Sequence, residues 1–346
     1  MRERMRLIAA ACFYYSGLVK LAHWWVQCAA PRLMIMNYHR ATGDSLRHQL
    51  LYLHRHYRIM HLEDALEEFY APPVPGRARR DRRIPLVLTF DDGYRDNYTC
   101  AFQLACELQV PITIFLIPGY VESGERFWWL EGKRLAYSTK VDKVTIDGST
   151  YQLVQPEERK ALAQAIDMRV RHAGSVAERE AFLAAIRQAL ELSSPDNARH
   201  HTDEEALPLT WTEVREMEQS GWVSFGAHTM HHPVLAYLTD AEEVRREVAE
   251  CRPVLERQLG HCVQTFAYPI GKLEHIGHEG LQAVKSAEYT WAVTTIEGVN
   301  TRQTDPYLLR RLPGDNTQHW LIMASELVGL LGIFSRFRKK ICTTLL

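Results

Sequence analysis

Between residues 32 and 312, short apolar runs alternate with stretches of helical periodicity, and this alternation restricts the fold more than any other feature. The runs fall at 32–38, 84–90, 111–117, 222–227, 264–268, 289–294 and 307–312. The periodic stretches fall at 45–57, 62–69, 97–109, 211–220, 240–259 and 279–286. A strand, a helix and a strand in succession require parallel pairing, because the helix carries the chain back to the starting edge of the sheet. An α/β barrel or a doubly wound sheet follows, and both gather ligand chemistry at the carboxyl ends of their strands. No repeat period is visible, which excludes a solenoid.

A long stretch, about 120–210, breaks the alternation. It carries a hairpin at 143–153 turning at Asp147 and Gly148, two amphipathic helices at 157–171 and 176–192, and a polar loop at 193–205. It reads as an insertion covering one face of the sheet, not as an independently folding domain. Residues 77–83 (RARRDRR), after a Pro- and Gly-rich break, read as a solvated charged loop.

The strand-end rule locates the chemistry. The run ending at Phe90 delivers Asp91 and Asp92, and the run ending at Ala227 delivers His228, then His232. A four-residue separation brings two imidazoles to the same side of a helical turn. With one carboxylate they make a common donor set for Zn²⁺ or another borderline divalent ion, with coordination positions left open. A second carboxylate beside the ligating one stays ionised only if a cation neutralises its neighbour, and it can then accept a proton from water acidified by the metal. His231 has the wrong spacing to join this set, and His275 and His278 read as solvated loop residues.

LTFDDG at 88–93 and GAHTMHHPVL at 226–235 resemble the first two motifs of the NodB-type polysaccharide deacetylases, carbohydrate esterase family 4, and FAYPIG at 266–271 resembles the third. The resemblance implies a distorted (β/α) barrel of the polysaccharide deacetylase type over 31–318, with the insertion at about 120–210. It also implies a divalent metal, most simply Zn²⁺ with Co²⁺ or Ni²⁺ as alternatives, and hydrolysis of acetyl groups on sugars. By the same resemblance Asp91 is the general base, Asp92, His228 and His232 are the metal ligands, and Tyr268, Pro269 and Ile270 supply the substrate and oxyanion contacts. Two positions depart from the pattern. Ala267 stands where the third motif normally has the Arg that orients the base, and LRRLP at 309–313 lacks the usual late His. The acid that protonates the leaving amine must then come from elsewhere. His39, after the first strand, resembles the acid of the permuted members with an N-terminal catalytic His. Arg311 or its neighbour Arg310 takes over the orientation of Asp91. Phe127, Trp128 and Trp129 are expected to pack the insertion onto the barrel, with sugar stacking as the alternative.

Lys plus Arg (41) nearly balance Asp plus Glu (42), which argues against a nucleic-acid partner. Seven Cys without a CxxC favour neither a disulfide framework nor a thiolate zinc site. Residues 1–30 read as an uncleaved amphipathic helical segment, and 319–346 as an amphipathic helix with a basic tail. Both ends suit peripheral contact with a membrane surface, and neither reaches the length of a transmembrane span. The expected protein is thus a metal-dependent hydrolase removing N-acetyl groups from amino sugars of a polysaccharide or lipid-linked glycan. Its expected place is cytoplasmic and peripherally membrane-associated, with a periplasmic location as the alternative. A deformylase or deacylase on an undecaprenyl-linked sugar, or a metal-containing carbohydrate-binding protein without turnover, are the competing readings.

Overall fold

In a computed structural model describing residues 2–28, 31–72, 81, 83–192 and 204–332, the apolar runs form the expected strands. These are β1 (Met34–Tyr38), β3 (Pro85–Phe90), β4 (Ile112–Leu116), β7 (Val223–Ala227), β8 (Thr265–Ala267), β9 (Trp291–Glu297) and β10 (Leu309–Pro313). A two-residue strand, β2 (Arg58–Ile59), has no sequence signature, and the hairpin of the insertion is β5 (Lys143–Ile146) and β6 (Ser149–Gln152). The eight-stranded sheet runs β1-β10-β9-β8-β7-β4-β3-β2, and a further pairing of β1 with β3 closes every strand except β2 into a parallel ring. That pairing is continuous from Met34↔Leu86 to Tyr38↔Phe90. The ring is uneven: β7 and β8 meet only at Ala227↔Phe266, which makes the barrel a distorted one.

Side-chain alternation along parallel strands explains how this ring builds a site. Ile35, Val87, Phe115, Ala267, Val293 and Leu309 point inward and share a buried cluster with Leu62, Leu66 and Phe69 of the helix Leu62–Tyr70. Their neighbours Met34, Met36, Leu86, Leu88, Ile112 and Ile114 belong to the larger outer core. Two residues further along each inward row come Asn37 then His39, Thr89 then Asp91, Arg311 then Pro313, and Thr295. The barrel interior is therefore apolar at one end and polar at the carboxyl end. Gly226 is required in β7 because a Cβ there would come within 2.5 Å of the Phe115 ring.

The insertion folds as a satellite layer. Leu135, Val144, Ile146, Leu162, Ile166, Leu183 and Ile186 form a buried cluster of its own, continuous with Ile117, Tyr94 and Phe127 at the barrel. The hairpin turns at Asp147 (φ 48°) and Gly148 (φ 78°), two positive angles that match the twist of a two-residue hairpin. The loop at 193–205 lies outside the described residues except at its end, as do residues 77–80 and 82 of the charged run, whereas Arg83 bonds Asp81 and the His54 carbonyl. The helix expected over 240–259 is two, Ala241–Ala249 and Cys251–Leu259, with Pro253 unable to donate into an unbroken ladder.

At the ends, the helices Arg2–Tyr15 and Leu18–Cys28 meet at 72°. No single helix among the described residues is long and apolar enough to cross a membrane. Ala10 packs with Leu321, Ile322 and Leu331, and Arg6 pairs with Glu326. The C-terminal helix Trp320–Leu327 buries Leu321 through Ser325, so its apolar residues serve the core and not a membrane face, a correction to the amphipathic reading of 319–346. The basic tail beyond residue 332 lies outside the described residues.

Candidate active site

Seven of the expected residues converge at the carboxyl end of the barrel: His39, Asp91, Asp92, His228, His232, Ile270 and Arg311. Asp92 Oδ1 lies 3.4 Å from His228 Nε2 and 3.5 Å from His232 Nε2. One donor atom from each of the three lies within 4.8 Å of the others, and all three residues are buried. Asp92 Oδ1 has no hydrogen-bond partner although it is sealed from solvent, an arrangement that costs several kcal/mol unless a cation sits among these donors. The ring orientation agrees. His228 Nδ1 lies 2.7 Å from the Ala267 carbonyl and donates to it, which turns the Nε2 lone pair toward Asp92. The residues present therefore fit a divalent metal.

The backbone is bent to achieve this. Among the described residues, four of the eight non-glycine residues with positive φ, Asp92 (74°), Thr229 (64°), His232 (54°) and Ile270 (58°), are gathered here. Thr229 Oγ1 accepts the His232 N–H at 2.9 Å, and Trp128 Nε1 donates to the His232 carbonyl at 2.9 Å. Burial holds the His232 pKa down at about 3, so that imidazole is neutral and able to ligate. For His228 burial acts in the same direction, but Asp92 and Asp91 outweigh it and raise the pKa, a sign that the pocket attracts positive charge.

Asp91 sits beside this triad in a different environment. Arg311 grips it bidentately, Nη1 to Oδ1 and Nη2 to Oδ2, both at 2.7 Å. The guanidinium is itself fixed by the Thr294 carbonyl at 2.7 Å and Thr89 Oγ1 at 3.1 Å. Burial would raise the Asp91 pKa; Arg311 overrides it and brings it down to about 2. Of the two arginines, Arg311 and not Arg310 makes this contact. His39 Nε2 stands 4.0 Å from Asp91 Oδ2 with half its side chain exposed, at the mouth of the site.

An open cleft of about 510 Å³ surrounds these groups. Ile270 lines it, but Tyr268 and Pro269 do not: Tyr268 is fully buried and its hydroxyl donates to the Tyr307 carbonyl at 3.1 Å. Those two expected substrate contacts are therefore corrected to supports of the turn that presents Ile270. His231 is held away by Glu247, Nδ1 to Oε1 at 2.7 Å, in keeping with its exclusion from the triad. Trp128 and Trp129 wall the cleft as well as packing the insertion, with the Trp129 and His232 rings 4.5 Å apart. Asn37, Tyr94, Arg171 and Thr295 also line the cleft and were not expected. Asn37 and Thr295 were detectable in principle from the inward phase of β1 and β9; Arg171, arriving from the insertion, carried no local signal.

A parallel barrel with a buried Asp-His-His cluster and a guanidinium-clamped carboxylate at its carboxyl end defines a hydrolytic α/β barrel. The chain matches the family model for polysaccharide deacetylase over residues 78–171 and 176–292, and it belongs to that family of carbohydrate deacetylases, enzymes that hydrolyse N-acetyl amide bonds. Among curated proteins it is 21% identical over 297 residues to "Putative polysaccharide deacetylase YxkH" of Bacillus subtilis (strain 168), spanning 83% of this chain and 74% of that one. Among solved structures it resembles the Streptococcus pyogenes deacetylase PplD in complex with acetate, with TM-score 0.55, 17% identity, and coverage of 85% of this chain and 97% of that one. It also resembles IcaB from Ammonifex degensii, with TM-score 0.53, 18% identity, and coverage of 86% and 97%.

Proposed function

We propose that this protein removes N-acetyl groups from the amino sugars of a polysaccharide or lipid-linked glycan, with a divalent metal bound by Asp92, His228 and His232. The observation that carries the proposal is the convergence of those three donors within 4.8 Å, next to a free carboxylate clamped by Arg311. Two imidazoles and a carboxylate suit Zn²⁺, with Co²⁺ and Ni²⁺ as alternatives. When bound, the ion acidifies water and polarises the acetyl carbonyl. Asp91 takes the proton from the attacking water. Arg311 keeps Asp91 ionised at neutral pH, so the accepting form is always present, and aims both its oxygens. The N–H of Ile270, a residue that lines the cleft, donates to the oxygen that gains charge. His39, within reach of Asp91 and open to the cleft, protonates the departing amine.

A carbohydrate-binding protein would have no use for a base and a half-exposed imidazole beside its ion, which disfavours the binding reading. The test is acetate release from an N-acetylglucosamine oligomer, abolished by chelator and by Asp91→Asn. Bound metal with neither acetate nor formate released from any amino-sugar substrate would overturn the proposal.

We also propose that the protein sits at an anionic membrane surface through its N-terminal helix pair. Leu21 (60% exposed), Trp24 (57%) and Trp25 (76%) stand out from the helix Leu18–Cys28, joined by Met5, Ile8 and Tyr15 on the first helix. Arg4 and Lys20 are exposed among them and supply the complementary charge.

A further inference from the structure

The insertion brings positive charge to one side of the cleft. Arg171, the last residue of the helix Pro156–Arg171, lines the cleft and also a small hollow behind Trp128. Arg171 forms no hydrogen bond or salt bridge among the described residues. The hollow's other polar wall is Arg179, whose side chain is 3% exposed. Its Nε is taken by Glu180 and its Nη1 by the His231 carbonyl, but its buried Nη2 has no acceptor. Next to Arg171, the His172 ring stacks on Tyr237 at 4.7 Å, and Tyr237 meets His275 edge-on at 6.0 Å. Of the acids nearby, Asp167, one helical turn before Arg171, lies within its field without bonding it and meets the Gly132 backbone, Glu180 holds Arg179, and Glu274 does not line the cleft. The two acids that do line it are Asp91, matched by Arg311, and Asp92, which the metal would neutralise.

A guanidinium whose donors are unclaimed beside a cleft suits an anion, because its planar donors match a carboxylate or phosphate in two parallel hydrogen bonds. Resting on the deacetylase reading above, we propose that Arg171 binds an anionic group carried by the glycan next to the acetylated sugar, so that the preferred substrate is an acidic one. Trp129, which lines the cleft, offers an apolar face to a neighbouring ring.

The test compares three soluble substrates on the full metal-loaded chain: a neutral N-acetylglucosamine oligomer, an oligomer alternating N-acetylglucosamine with glucuronate, and N-acetylglucosamine 1-phosphate. The wild-type KM is expected to be lower for at least one acidic substrate than for the neutral oligomer, and which acidic arm responds tells carboxylate from phosphate. Arg171→Gln should raise that KM about tenfold with kcat held and the neutral substrate unaffected, and Arg171→Lys should lose less. An equal response of neutral and acidic substrates to Arg171→Gln, or no acidic preference in the wild type, overturns the subsite. If nothing is turned over, the deacetylase reading fails separately. The subsite is then judged by calorimetric binding of the glucuronate oligomer and the sugar phosphate: binding that weakens in Arg171→Gln supports it, and absence of binding to the wild type overturns it.

Discussion

In the proposed mechanism two residues take roles that the family pattern places elsewhere. Arg311 reaches Asp91 from β10 instead of from the third motif, and the bidentate contact needs a planar fork that lysine lacks. Arg311→Lys keeps the charge but lets the carboxylate swing. We expect kcat to fall by about a hundredfold, the scale of a misaligned acid–base group, with metal content by atomic absorption unchanged. Loss of metal together with activity would show that the pair supports the ion and not the base. His39→Ala is expected to lower kcat by about a hundredfold or more and again to leave the metal in place, since His39 stands 4.0 Å from Asp91 and is not among the three grouped donors. Unchanged turnover would remove His39 from the mechanism. Asp92→Ala should abolish stoichiometric metal binding, because it takes away the only carboxylate of the three donors and leaves two imidazoles without a charged ligand.

At the level of elements, the strands and their phase decide what can be read in advance. Asp91, Asp92 and His228 were legible because they follow an apolar strand directly, and His232 because it stands four residues after His228, so local pattern and position coincide. His39 stood at a strand end too and Arg311 within β10, but their partner is far away in sequence, and only a resemblance singled them out. Tyr268 was misplaced because a motif gives letters and not directions: the strand's alternation sends that ring into the core while Ile270, past the turn, faces the cleft. Arg171 was invisible, since nothing in 120–210 says which insertion helix ends over the active site. The insertion itself offers a stability test. Leu162 is fully buried in the satellite cluster, which runs on through Phe127 and Ile117 into the barrel. Leu162→Ala should cost about 2–5 kcal/mol and lower one common unfolding transition. A separate early transition, with the metal still bound, would show instead that the insertion melts alone.

For the whole molecule, the two ends are joined and their fates differ. The helix Trp320–Leu327 is clamped between the first helix and the helix Asp44–His56, with Trp320 meeting Tyr14 at 5.0 Å and Tyr52 at 5.7 Å. Truncating at residue 320 would therefore strip buried surface, and any loss of membrane binding would follow from unfolding. The exposed residues of Leu18–Cys28 are the better probe, because Trp24 and Trp25 stand out of the structure while Val19 on the same helix is buried. Indole rings favour the headgroup boundary of a bilayer, and exposed Arg4 and Lys20 favour anionic lipid. The double substitution Trp24→Ser and Trp25→Ser should leave acetate release from a soluble oligomer unchanged and weaken sedimentation with phosphatidylglycerol vesicles about tenfold or more, with high salt weakening the wild type as well. If the wild type does not sediment with the vesicles but elutes as a dimer that the double substitution splits, the exposed face belongs to a second copy of the chain and the membrane assignment falls.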